Sequence, residues 1–318
     1  MTDYQHQTIV LESPDKFGKR PPFEFCGNVF RRIYPVMANS VRMAFEGRSA
    51  ATGEQPKWLK RASDVRLLGF SDQNGNTVLE LEARRLGDAA EELYQQRQLF
   101  NDLPDPRETA IHVMARVVND IRSGNAESAL YDPSLLRVTQ HLDSLFVHDL
   151  TAIRLPEAND DVHLRAILDR EIPIHARELS NSTPAPRQLR LTGTLDMIRY
   201  STKAFALKLA DGREVHGVLD RAEMMEALPV FLNKKIVIVG KAVYRPSGSV
   251  LRIDAQHVEG DSGESALFNR VPPPLVRRPP AGKLRVESGK GGVAAFFGAW
   301  PGDETDEQLL ASLKEMRG

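Results

Sequence analysis

Residues 187–258 read RQLRLTGTLDMIRYSTKAFALKLADGREVHGVLDRAEMMEALPVFLNKKIVIVGKAVYRPSGSVLRIDAQHV, and five strand patterns with one helical pattern can be marked off along them. Gln188 to Tyr200 is a long strand pattern interrupted at Gly193, where a barrel strand can bend. Lys203 to Leu209 alternates, with Ala204, Ala206 and Lys208 toward one face and Phe205, Leu207 and Leu209 toward the other. Asp211-Gly212 then supplies a hairpin turn. Glu214 to Leu219 is the third strand pattern and Arg221 to Leu228 a short helix. Lys235 to Tyr244 and Val250 to Val258 complete the set, joined across Pro246-Ser247-Gly248.

The order β-β-β-α-β-β is that of an OB-fold, a small Greek-key barrel that often binds oligonucleotides. An SH3-like or other small barrel gives a similar pattern. Outside this module the chain reads as α+β. Residues 1–150 combine a short apolar run at Thr8–Leu11, a helical pattern from Val29 to Phe45, and a hairpin. The hairpin is Val65–Phe70 and Thr77–Glu82 around Asn74-Gly75, both of which tolerate positive φ. Three helical patterns follow at Ala89–Phe100, Thr109–Ser123 and Pro133–Phe146. Trp58 and Leu59, among Lys57, Lys60 and Arg61, read as an exposed loop with an anchoring tryptophan. Residues 151–186 read as a connecting helical region, with a helix over Asp161–Leu179 interrupted at Pro173. Residues 259–292 carry five prolines and form a linker of mixed stiffness. Residues 293–318 are a terminal peptide.

Composition narrows the function classes. The 318 residues are 41% hydrophobic and 27% charged, with a net charge of −1, as in an ordinary water-exposed globular chain of about two domains. No apolar run approaches the ~20 residues that span a bilayer, and the N-terminus lacks the pattern of a secretory signal. Cys26 is the only cysteine, which excludes an internal disulfide and a cysteine-built zinc site. A cytoplasmic protein is expected. The eight histidines are scattered without metal-ligand spacing, and there is no G-x-S-x-G elbow. Gly289-Lys290-Gly291-Gly292 lacks the first glycine and the Ser/Thr of a phosphate loop and reads as a hinge. No catalytic residue, metal or cofactor is therefore expected, and no enzyme activity.

Charge is divided along the chain. Residues 187–258 hold twelve Lys/Arg against seven Asp/Glu, while residues 293–318 hold two against five. The basic module offers Arg199, Tyr200, Lys203, Lys208, Tyr244, Arg245 and Arg252 as candidate nucleic-acid contacts, with cations for phosphate and rings for base stacking. Phe205 reads equally well as core.

The terminal peptide is the most specific motif. Trp300, Pro301 and Gly302 form a rigid turn, and Asp303, Glu304, Asp306 and Glu307 an acidic cluster. Thr305 and Gln308 have capping-box spacing. Leu309, Leu310 and Leu313 then share one face, and Lys314 and Arg317 close the last turn. A helix of about three turns is marginal alone in water, so it needs a surface to lie on. The string AWPGDETDEQLLASLKEM resembles the C-terminal segment of short bacterial antitoxins encoded beside PIN-domain ribonuclease toxins, which carry W-P-G-D-E-[ST]-D-E before an apolar helix. The resemblance covers roughly the last twenty residues; here nearly 300 precede them.

The resemblance implies an antitoxin whose arm wraps a PIN-domain ribonuclease and blocks its acidic, metal-binding site. Trp300, Pro301, Gly302 and the leucine stripe would dock in a groove, the acidic cluster would meet basic toxin residues, and Lys314 or Arg317 would reach the metal-binding carboxylates. The alternative is an OB-like nucleic-acid-binding protein with an acidic, autoregulatory tail.

Overall fold

Alternation along the first strand builds the first sheet. In the computed structural model, β1 (Tyr4–Glu12) turns Gln7, Ile9 and Leu11 inward and His6 and Thr8 outward, the period of a half-buried strand. The structure describes residues 4–95, 103–147, 150–156, 166–219, 222–261, 268 and 270–274. The chain divides into Met1–Pro280 and Ala281–Gly318, and the described residues belong to the first unit.

Helix α1 (Phe23–Glu46) follows, with Val29, Ile33, Val36, Met37 and Val41 on its buried face. After the short α2 (Lys57–Ala62) come β2 (Val65–Gln73) and β3 (Asn76–Arg84). Their turn is the two residues Asn74 (φ 57°) and Gly75 (φ 84°). Two positive φ values make the primed turn that matches strand twist, and only Asn, Asp and Gly take them at low cost. The single-turn helices α3 (Leu86–Ala89) and α4 (Glu91–Tyr94) lead to α5 (Ala110–Arg122) and α6 (Pro133–Gln140), which a 3-10 turn at His141–Leu145 extends. Strands β4 (Ala152–Arg154) and β5 (Ile167–Asp169) precede α7 (Glu171–Ser182). The sheet order is β2-β3-β1-β4-β5, antiparallel throughout. Its apolar face shares one core with α1, α2, α5, α6 and α7.

The second sheet closes on itself. It comprises β6 (Arg187–Arg199), β7 (Ala204–Lys208), β8 (Glu214–Leu219), β9 (Lys235–Tyr244) and β10 (Val250–Gly260). Helix α8 (Ala222–Ala227) and a 3-10 turn at Leu228–Phe231 stand between β8 and β9. β6, β7 and β8 form a meander, β9 returns beside β6, and β10 closes the barrel, antiparallel to β9 and parallel to β8. That is OB-fold connectivity. Leu191, Leu195, Phe205, Leu207, Ile236, Ile238, Tyr244 and Ile253 fill the interior, and Met225 and Leu228 close one end. A Cβ on Gly217 would overlap the Phe205 ring, so this position of β8 has room for glycine alone.

Several regions differ from the sequence reading. Residues 151–186, read as a connector, complete the first sheet through β4 and β5. A three-residue strand is too short to display a period. The helix expected over Ala89–Phe100 is broken at Ala90 (φ −127°), and Arg61 Nε donates to the Ala89 carbonyl at 2.8 Å. Trp58 lies in a helix rather than a loop; it is buried, 5.2 Å from the Phe45 ring. The start of the linker follows the barrel. The Arg187 guanidinium donates to Pro273 O (3.0 Å), Arg190 stands 5.3 Å from the Phe268 ring, and Val271 packs on the barrel core. Among the described residues no helix is long and apolar enough to cross a membrane.

Candidate functional site

The barrel is fastened to the sheet domain by its β9–β10 turn and the start of β10. Ser247 N donates to Ala126 O (3.3 Å), Ser249 Oγ to Glu127 Oε2 (2.8 Å), and Arg245 Nε to Ser128 O (3.3 Å). Beneath them Arg252 Nη1 donates to Asp132 Oδ2 (3.0 Å) and Gly47 O (3.1 Å), and its Nε to Asp254 Oδ1 (2.7 Å). Asp132 is 2% exposed and Arg252 8% exposed. Asp132 also caps α6, accepting from Ser134 N and Leu135 N, and takes the Ser49 amide and hydroxyl at 3.1 and 2.5 Å. Burial pushes the Asp132 carboxyl up. The Arg252 charge, the Ser49 hydroxyl and the Leu135 and Ser49 amides outweigh it and hold the group below the usual carboxylate range.

Beside this junction lies a cleft of about 260 Å³. Its sheet-domain wall is the C-terminal turn of α1 (Met43–Gly47), Leu103 and Pro104, Arg116 of α5, and Ala129 and Leu130. Its barrel wall is Met197 and Arg199 of β6, Ala204 of β7, His216–Val218 of β8, Arg245, Leu251 and Arg252. Glu46 is the carboxylate in the lining, and Arg42 and Arg48 each donate to its Oε2 at 3.2 Å. Arg116 Nη2 reaches Glu108 Oε2 at 3.0 Å, while its buried Nε finds no partner among the described residues. Burial raises the Glu108 pKa, partly offset by Arg116.

A polar cluster behind the cleft ties α5 to β1. Thr109 N donates to His112 Nδ1 (3.2 Å), Thr109 Oγ1 to Gln7 Oε1 (3.0 Å), and Gln7 Nε2 lies 2.7 Å from His112 Nε2. Burial, and secondly the Arg116 charge, pull the His112 pKa down to about 4.

The proposed nucleic-acid residues part company. Arg199 lines the cleft, Tyr200 is 52% exposed in the β6–β7 turn, and Lys203 sits beside it at φ 55°. Lys208 is exposed at the far end of β7. Tyr244 is 1% exposed and Phe205 fully buried, so neither ring can stack on a base. Arg245 is half-buried against carbonyls, and Arg252 is spent on the Asp132 and Asp254 carboxylates. The proposed partner-binding residues, Trp300 to Arg317, lie outside the described residues. Met43, Arg116 and Asp132 were not singled out from the sequence. Only Asp132 left a signal, as an Asp-Pro helix start. Among the described residues no cluster of three His, Cys, Asp or Glu could hold a metal. Compared with protein-family models, with curated proteins and with solved structures, the chain matches none.

Proposed function

We propose that the chain is the antitoxin of a bacterial toxin–antitoxin pair and neutralises a PIN-domain ribonuclease in the cytoplasm through residues 293–318. The observation that supports this is the run Trp300–Glu307 followed by Leu309, Leu310 and Leu313. Its mechanism is steric and electrostatic. The indole and leucines occupy an apolar groove, and a Lys314 or Arg317 cation among the toxin's carboxylates competes with Mg²⁺ for the same charge. No covalent chemistry is needed. The test is co-expression with the neighbouring toxin gene. The full chain restores growth and a chain ending at Gly292 does not; full rescue by the shortened chain would sink the proposal.

A second reading makes the barrel a single-strand nucleic-acid binder that the acidic tail regulates. The OB-fold connectivity and the exposed β6–β7 turn favour it. It expects removal of residues 293–318 to strengthen binding to single-stranded DNA or RNA, with affinity falling steeply as salt rises. No binding by the shortened chain at low salt ends it.

A further inference from the structure

The cleft between α1 and the barrel is lined by two guanidiniums, Arg116 and Arg245, whose donors carboxylates only partly occupy. Arg245 is buried enough to pull its pKa below the usual arginine value, an effect that Glu127 only partly offsets. Its partners are the carbonyls of Ser128 and Val250 and the Ser249 hydroxyl. Glu127 is linked to it through the Ser249 hydroxyl. Arg116 reaches Glu108 through one nitrogen and leaves its buried Nε without an acceptor. A buried donor left unmade is costly. One such donor on one wall, facing on the other a guanidinium that is bonded only to neutral oxygens, makes a place where an anion gains more than it would in water. The lining also holds Arg199, His216, Arg252 and the Glu46 carboxylate, which Arg42 and Arg48 hold, while Met43, Leu103, Leu130, Met197 and Leu251 are apolar. Methionine sulfur and branched carbons suit the face of a flat ring.

We infer that this cleft binds a nucleoside 5′-phosphate, with the phosphate between Arg116 and Arg245 and the base against Met197 and Leu130. Guanidinium forks match phosphate oxygens in geometry and charge. The cleft's volume of about 260 Å³ lies just below the roughly 300–1,000 Å³ of ligand pockets; it takes at most one nucleotide and no folded partner. The ligand is either a free mononucleotide or the 5′-phosphorylated end of a single strand. The inference rests on neither proposal for the terminal peptide or the exposed β6–β7 turn.

The test is calorimetric titration of the full chain with adenosine and uridine monophosphates, the matching nucleosides, inorganic phosphate, and hexanucleotides with and without a 5′-phosphate. A monophosphate binds more tightly than either its nucleoside or phosphate alone. Preference for the phosphorylated hexanucleotide over the free monophosphate marks a strand end as the source, and the reverse marks a free nucleotide. Arg116→Gln weakens the monophosphate by about tenfold or more and leaves the nucleoside unchanged. Ala204→Trp, on the barrel wall, removes both by filling the cleft, and His216→Glu, on the exposed rim, weakens only phosphate-bearing ligands. The rim variant keeps the test decisive if either of the others fails to fold. Absence of monophosphate binding at millimolar concentration overturns the inference, as does binding that all three variants leave intact. Toxin neutralisation by Ala204→Trp remains as for the unaltered chain, so failure here and failure of the antitoxin proposal read out separately.

Discussion

The open sheet and the closed barrel handle the same problem, free strand edges, in opposite ways. The barrel has none, because β10 bridges β9 and β8. The open sheet has two. Its β5 edge is three residues long, and its β2 edge carries a bulge between Leu67 and Gly69. Both devices discourage pairing with another chain. The barrel gathers its core from residues close in sequence, whereas the sheet sets Val10 opposite both Val78 and Arg154. The difference teaches where each half is vulnerable. The barrel depends on shape at a few crowded points, and the sheet domain on polar clusters that join distant segments.

The largest expected effect comes from severing the two halves. Arg252→Met leaves the Asp132 carboxylate buried without its cation, and losing one partner of a buried pair costs about 3–5 kcal/mol. Denaturant unfolding measures it. The double variant Arg252→Met with Asp132→Asn is expected to recover part of that loss, because no orphaned charge remains. A double variant as unstable as the sum of its parts would mean the two side chains act separately.

Acid tests the sheet domain alone. The His112 pKa in the folded chain is about 4, below the ordinary 6.5. The unfolded chain therefore takes up a proton first as pH falls. The contribution is whole above pH ~6.5 and lost by pH ~4, a total of about 3 kcal/mol. Amide exchange should place the loss in β1 and α5, which Gln7, Thr109 and His112 connect. His112→Gln should flatten the pH dependence in that window. Exchange in the barrel should not follow the same curve, because the Gln7–Thr109–His112 cluster lies on β1 and α5.

Shape tests the barrel alone. Gly217→Ala drives a methyl into the Phe205 ring, and overpacking of this kind costs about 1–3 kcal/mol. Adding Phe205→Leu should return part of the stability by freeing the crowded volume, measured as a shift in thermal midpoint. If Gly217→Ala alone is neutral, β8 is not held against that ring.

The same contrast explains what could be read from the sequence. The five barrel strands and their helix were legible because each strand runs five residues or more and two of the breaks between them, Asp211-Gly212 and Pro246–Gly248, are turn signals. In the sheet domain, α5 and the β2–β3 hairpin were legible for the same reason. Strands β4 and β5 were not, since β1, which β4 pairs with, lies far off in the chain and their own three residues show no period. Side-chain roles were harder than elements. Tyr244 and Arg252 are a tyrosine and an arginine on barrel strands, which suits a binding face. Packing instead turns one into the core and commits the other to Asp132. The cleft was not legible, because Arg116, Met43 and Met197 meet only through the docking of the two sheets.

The smallest expected effect lies at the β2 edge, and it decides whether the bulge is the protecting device. Leu68 is the extra residue of the bulge and is 56% exposed, with no cross-strand partner. A lysine there removes little packing, so Leu68→Lys should change unfolding free energy by less than about 0.5 kcal/mol. If the bulge already blunts the edge, the added charge should also leave self-association unchanged by analytical ultracentrifugation. Deleting Leu68 makes the opposite test. It restores a regular ladder, with Leu67 opposite Leu81 and Gly69 opposite Glu80 as neighbours, and produces a straight edge free to pair. Concentration-dependent association of the deletion variant, absent in the unaltered chain and suppressed again by a charge at Gly69, would show that one inserted residue does for the open sheet what closure does for the barrel.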